Sequence, residues 1–151
     1  MKQMIIDSIK SLFERDLKKL KKEIGLYSTE ANLWIIDKEI ANSGGNLCFH
    51  LIGNLNHFIG AQLGGTGFLR QRELEFSSKN IPREQLIVEI DKTIVVIQSA
   101  LDGLTDDDLK SQYPILVFSH KMTVGYFLIH LTTHLSYHLG QINYHRRLLD
   151  V

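Results

Sequence analysis

TVGYFLIHLTTHLSYHLGQINYHRRLL, residues Thr123 to Leu149, is the stretch on which the reading of the whole chain turns. Val124, Leu128, Leu131, Leu135, Ile142 and Leu149 recur at spacings of three, four and seven, which stack on one side of an α-helix. Thr123 offers the hydroxyl that caps its first turn. At about 100° per residue, His138 lies within about 40° of the apolar centre, His134 about 75° off it and His130 more than about 100° off. His130, His134 and His138 recur every fourth residue, so His130/His134 and His134/His138 each form a pair one turn apart that can clasp one metal ion. The inward pair is His134/His138. Two imidazoles set together in an apolar interior are costly unless both are satisfied, and shared coordination is one way of satisfying them.

Working back from this helix, three more amphipathic stretches appear. From Met4 to Ile24, the residues Ile5, Ile9, Leu12, Phe13, Leu17, Leu20 and Ile24 form an apolar stripe, and Gly25 ends the helix. Lys18, Lys19, Lys21 and Lys22 sit near its end, where cations suit the helix dipole, and read as a solvated turn. Thr29 to Ile40 is a connection with a short turn of helix. Asn42 or Ser43 then caps a second helix running to about Leu63, with Leu47, Leu51, Leu55, Phe58 and Gln62 on its apolar face and His50, Asn54 and His57 along one flank. Gly53 and Gly60, two turns apart, predict close approach of another backbone.

Gly64-Gly65-Thr66-Gly67 breaks that helix. No strand precedes it and no GK[ST] follows, so it is not a phosphate-binding loop. Phe68 to Asn80 has no steady period and reads as a charged crossover. Pro82 opens a third helix with Leu86, Ile90, Ile94, Ile97 and Leu101 inward and Gly103 after its end. Asp106, Asp107 and Asp108 cap and charge a short turn, since consecutive side chains diverge and no EF-hand loop surrounds them. Tyr113 to His120 is irregular, with room for a small extended strand. The expected architecture is all-α: a four-helix bundle with a long connection between helices 2 and 3, forming one domain over residues 1–151.

Composition narrows the function. With 44% hydrophobic residues, two prolines, and 17 Lys+Arg against 17 Asp+Glu, the chain is that of an ordered globular protein without net charge. A pI of about 7.1 and the absence of a recognition motif predict no nucleic-acid partner. The opening MKQMIIDSIKSLFERD interleaves charges with apolar positions, which predicts neither signal peptide nor membrane span and a cytoplasmic location. Cys48 stands alone, so an intrachain disulfide or a cysteine-based zinc site is ruled out and a metal must be held by nitrogen and oxygen. Cys48 itself reads as a buried structural residue. His50 is the third ligand if helices two and four are adjacent. His145 also points inward, as a supporting group or an interior end residue, while His57 and His120 read as surface or hydrogen-bonding residues.

Other helical metal patterns fail. HLTTH carries Leu131 where a zinc protease needs Glu, and no Glu-x-x-His exists for a di-iron site. The combination of Asn46-Leu-Cys-Phe-His50-Leu-Ile-Gly-Asn-Leu with His134-x-x-x-His138-x-Gly140-Gln141 resembles the DinB-like superfamily, across nearly the whole chain. That resemblance implies a four-helix bundle, usually dimeric, with a divalent metal such as zinc or nickel on His50, His134 and His138. Relatives of this kind include thiol-dependent S-transferases and a maleylpyruvate isomerase. Leu139 stands where many relatives carry Arg.

Two functions stay open at this stage. In the first, the protein is a metal-dependent thiol S-transferase or hydrolase acting on a small molecule, with a low-molecular-weight thiol as cofactor. There Gln141 or Asn54 orients a ligand and Tyr137 assists proton transfer. In the second it is a non-catalytic metal-binding stress-response dimer. Both readings expect a homodimer.

Overall fold

The computed structural model describes residues 3–151, whose regular elements are all helices. Met1 and Lys2, the first two residues of the expected domain and of the opening segment, lie outside the described residues. Five α-helices follow one another: α1 (Met4–Leu26), α2 (Gly44–Leu55), α3 (Arg72–Ser77), α4 (Arg83–Asp102) and α5 (Val124–Leu149). Short 3-10 turns occupy Glu30–Trp34 and Asp108–Lys110, and a π-helical turn, Asn56–Ala61, extends α2. Among the described residues no helix is long and apolar enough to cross a membrane.

α1 lies along both α4 and α5, and α2 packs against α5, α4 and the short α3. The shared interior is built from Phe13, Leu17 and Leu20 of α1, Leu51 and Leu55 of α2, Ile90 and Ile97 of α4, and Leu128, Leu131 and Leu135 of α5, all buried. Burial of this kind contributes about 1.5–3 kcal/mol per large apolar side chain. Polar ties set the helices' relative heights. Lys21 pairs with Asp91 at 3.0 Å between α1 and α4, and Glu23 holds Asn143 at 2.7 Å and Arg146 at 2.8 Å between α1 and α5.

The inward register of α1 differs by one residue at its start: Ile6 is buried, whereas Ile5 and Leu12 are exposed. At the neighbouring turn, Asp106 accepts the amides of Ile5 (3.4 Å) and Ile6 (3.0 Å). Asp106 thus caps α1 across 100 residues of chain and not its own turn, while Asp108 takes the local role with Thr105. Ser43, not Asn42, caps α2 by accepting the Asn46 amide at 3.1 Å, and Thr123 caps α5 through Tyr126 at 3.1 Å. In α4, Thr93 takes the inward place expected for Ile94, because its hydroxyl is satisfied by Glu89 O (2.7 Å) and the Asn56 amide (2.9 Å).

Two expectations need correction near α2. The second helix does not continue as a regular α-helix to Leu63. The bonds Gln62 N to His57 O (3.2 Å) and Gly64 N to Ile59 O (2.9 Å) skip five residues, which adds one residue to a turn and shifts the register. Ile59 is consequently buried, while Phe58 is only half-buried and Gln62 leaves the apolar face. The glycines, in turn, admit side chains and not another backbone. A Cβ on Gly53 would land on the Glu75 carboxylate, and one on Gly60 would come within 2.9 Å of Val96. In place of a small strand, Tyr113–His120 is flanked by a single bridge, Gln112 to Thr123.

Candidate metal centre

α2 and α5 face each other where the sequence placed His50, His134 and His138, and one ring nitrogen from each lies within 4.8 Å of the others. His50 Nε2 is 3.3 Å from His134 Nε2, which is 3.1 Å from His138 Nε2. Zinc–nitrogen bonds of about 2.0–2.1 Å at tetrahedral angles separate ligand nitrogens by about 3.3 Å, so the spacing suits a divalent ion.

The outer edges of two rings are held. Glu75 Oε1 accepts from His50 Nδ1 at 2.9 Å, and Gln141 Oε1 accepts from His138 Nδ1 at 2.7 Å. In the neutral rings, the proton therefore sits on Nδ1 and the Nε2 lone pairs point into the shared space. Gln141 thus orients the His138 ring. His134 has no such support, since its Nδ1 is buried without a partner. Burial, with the nearby His138, His50, His130 and Arg70, depresses His134 to about 4, and burial also lowers His138. Both rings are neutral donors at pH 7. Three close imidazoles, one lacking any other partner, are what a site for nitrogen-bound cations such as zinc, nickel or copper provides.

Glu75 is the residue of this candidate site that the sequence reading missed. It is 2% exposed, on the short α3 inside what was read as an aperiodic crossover. Burial alone would raise its carboxyl, but hydrogen bonds from Arg70 and His50 outweigh burial and hold it below the usual range. Arg70 binds it twice, Nε to Oε2 and Nη2 to Oε1, each at 2.8 Å. Asn46 keeps α3 in place by donating to Glu75 O (3.0 Å) and Ser78 O (2.7 Å). The signal available in the sequence was Gly53: its missing side chain leaves the room that the Glu75 carboxylate occupies.

A family model described as "Protein of unknown function (DUF1572)" matches residues 1–150. The chain belongs to that family. No curated protein matches it. In this DUF1572 member the remaining histidines divide by environment. His130 lines the wall of a cavity next to the triad, stacked on Phe127 at 5.8 Å between ring centres, rather than facing away. His145 is buried and hydrogen-bonded at both nitrogens, to the Tyr27 hydroxyl at 2.6 Å and Ile35 O at 2.9 Å, so it is an interior tie distant in role from the triad. His120 is exposed and His57 half-buried, with burial lowering the latter's pKa. Cys48 is fully buried, which pushes its thiol pKa up and leaves it inert. Tyr137 is exposed, lines a groove with Leu12 and Arg15, and sets its ring edge-on to that of His138 at 5.5 Å between ring centres.

The cavity beside the triad measures about 590 Å³ and is walled by side chains that include Phe58, Phe118, Arg72 and Asn54. That volume falls in the range of small-molecule sites.

Proposed function

We propose that this chain is a DinB-like four-helix-bundle protein that binds one divalent metal ion through His50, His134 and His138 and acts on a small molecule held in the adjoining cavity. The observation that carries the reading is the convergence of three Nε2 atoms, two of them with their Nδ1 protons occupied by Glu75 and Gln141. α3 is then an elaboration of the connection between the second and third long helices. Zinc or nickel suits the all-imidazole donor set.

When bound, the ion supplies Lewis acidity at a position not filled by protein, enough to deprotonate a thiol or a water at neutral pH. Around it, Glu75 and Gln141 keep the ligand rings in register, and the phenyl walls limit water. Thiol transfer to an electrophilic small molecule, with a low-molecular-weight thiol as cosubstrate, is the reaction favoured here, and metal-assisted hydrolysis is its neighbour. The alternative, a non-catalytic stress-response protein in which the ion only fastens α2 to α5, gives the cavity no purpose. A cytoplasmic homodimer belongs to the same proposal. Gly53 and Gly60 no longer support the dimer, since both are filled within the chain, but Tyr126, Ile129, Tyr137, Tyr144 and Leu148 leave an exposed apolar stripe along α5 that suits a second copy.

Cobalt-substituted protein, mixed with a panel of low-molecular-weight thiols, tests the open position: a thiol-dependent change in the cobalt spectrum is expected, and its absence across the panel contradicts thiol binding. Product formation with electrophiles no faster than in His138→Ala removes the transfer reaction. Light scattering at micromolar concentration should give about twice the 17.3 kDa chain mass, and a clean monomer removes the dimer.

A further inference from the structure

The cavity beside the histidines has a chemical bias of its own. Two guanidinium groups line it, Arg70 and Arg72, and no carboxylate does. Arg70 is already engaged twice by Glu75. Arg72 forms no ion pair among the described residues, and its guanidinium carbon sits 5.1 Å above the Phe76 ring. One turn along α2 from His50, Asn54 is 6% exposed, yet its Oδ1 has no hydrogen-bond partner. A buried acceptor left open at a cavity wall calls for a donor from whatever fills the cavity. Phe58 and Phe118 supply an apolar surface in the same space.

We propose that this cavity selects a small molecule with an anionic head, carboxylate or phosphate, an adjacent hydroxyl or N–H donor and an apolar body. The head meets Arg72, the donor meets Asn54, and the body rests on Phe58 and Phe118. Guanidinium recognises both oxyanions through charge-assisted hydrogen bonds, so the two share one chemistry at this point. The inference deepens the metal-centre reading by naming the class of substrate for that site, but its recognition groups are not the proposed ligands.

Metal-free protein is titrated calorimetrically with mandelate, its neutral counterpart mandelamide, and phenyl phosphate. Mandelate should bind about tenfold more tightly than mandelamide. Phenyl phosphate binding more tightly than phenylacetate, which also lacks the hydroxyl, assigns the head to phosphate, and the reverse assigns it to carboxylate. Arg72→Gln, an exposed position whose change spares the fold, should erase the preference for the anion. Asn54→Ala should weaken mandelate while leaving phenylacetate, which lacks the hydroxyl, unchanged. Equal binding of mandelate and mandelamide to the wild-type protein, or an anion preference that survives in Arg72→Gln, overturns the proposal. His134→Ala separates the two claims. It should lose metal binding yet keep the preference for mandelate; an anion preference in wild-type protein that binds no metal leaves this inference standing and removes the metal centre.

Discussion

Glu75 accepts the Nδ1 proton of His50 at 2.9 Å, joining a residue of the short α3 to one of α2 across 25 positions of chain. This contact decides which nitrogen of His50 faces the other two histidines. Replacing Glu75 by Gln keeps an acceptor but removes the charge. Metal affinity is expected to fall about 10–100-fold, the usual cost of losing a partner that orients a metal-binding histidine. Competition with a chromophoric chelator measures it, and an unchanged affinity would remove Glu75 from the site.

Gly53 extends the same contact to a position that touches no ligand. In Gly53→Ala the new methyl collides with a carboxylate held by both Arg70 and His50, so the strain has no flexible end to relax into. Overpacking of this kind costs about 1–3 kcal/mol. Both a lower Tm and weaker metal binding are expected, and a fall in Tm without a change in affinity would show that Glu75 moves freely of His50.

Tyr27→Phe probes the other buried histidine. Removing the hydroxyl leaves His145 Nδ1 without its 2.6 Å partner and costs about 1–3 kcal/mol. Chemical denaturation should show the loss, with metal stoichiometry and affinity unchanged. Reduced metal affinity would place His145 in the site after all.

The pH dependence of stability has a defined contributor in Asp150, at the end of α5. The Ser28 amide (2.6 Å), then Asn32 (3.0 Å) and the Thr29 amide (3.1 Å), hold its carboxyl well below the ordinary range. A carboxyl depressed by folding adds stability that is present above its unfolded pKa, about 3.9, and is lost as pH falls through the folded value. Asp150→Asn should therefore melt below wild type at pH 7, and the gap should narrow steadily as pH drops below about 3.9. A gap that is constant with pH would mean that the contact is not electrostatic.

The periodic part of this architecture was open to reading from residue order. Phe13, Leu17 and Leu20, or Leu128, Leu131 and Leu135, recur at a spacing that only a helix turns to one side, and the angle from that side set His134 and His138 apart from His130. Thr123 was legible as a cap for the same local reason, and Ser43 as one of two candidates with Asn42. Contacts between distant segments were not. Nothing near Asp106 says that it caps α1, and nothing near Glu75 says that His50 waits for it, because α3 has only six residues and too few turns to show a period. The π turn at Asn56–Ala61 was hidden as well, since one inserted residue alters register without altering composition. His130, set off the inward pair by its angle, lies outside the cluster of three, with its ring beside Phe118 and Phe127 in the cavity wall.

The central claim, one divalent ion on three histidine nitrogens, is tested most directly by zinc titration of metal-free protein by calorimetry. The variants to compare are His50→Ala, His134→Ala, His138→Ala and His130→Ala. Wild type should bind one ion per chain, each of the first three variants should lose more than about 100-fold in affinity, and His130→Ala should stay within roughly threefold of wild type. No binding by wild type, or a loss in His130→Ala equal to that in His138→Ala, would contradict the account.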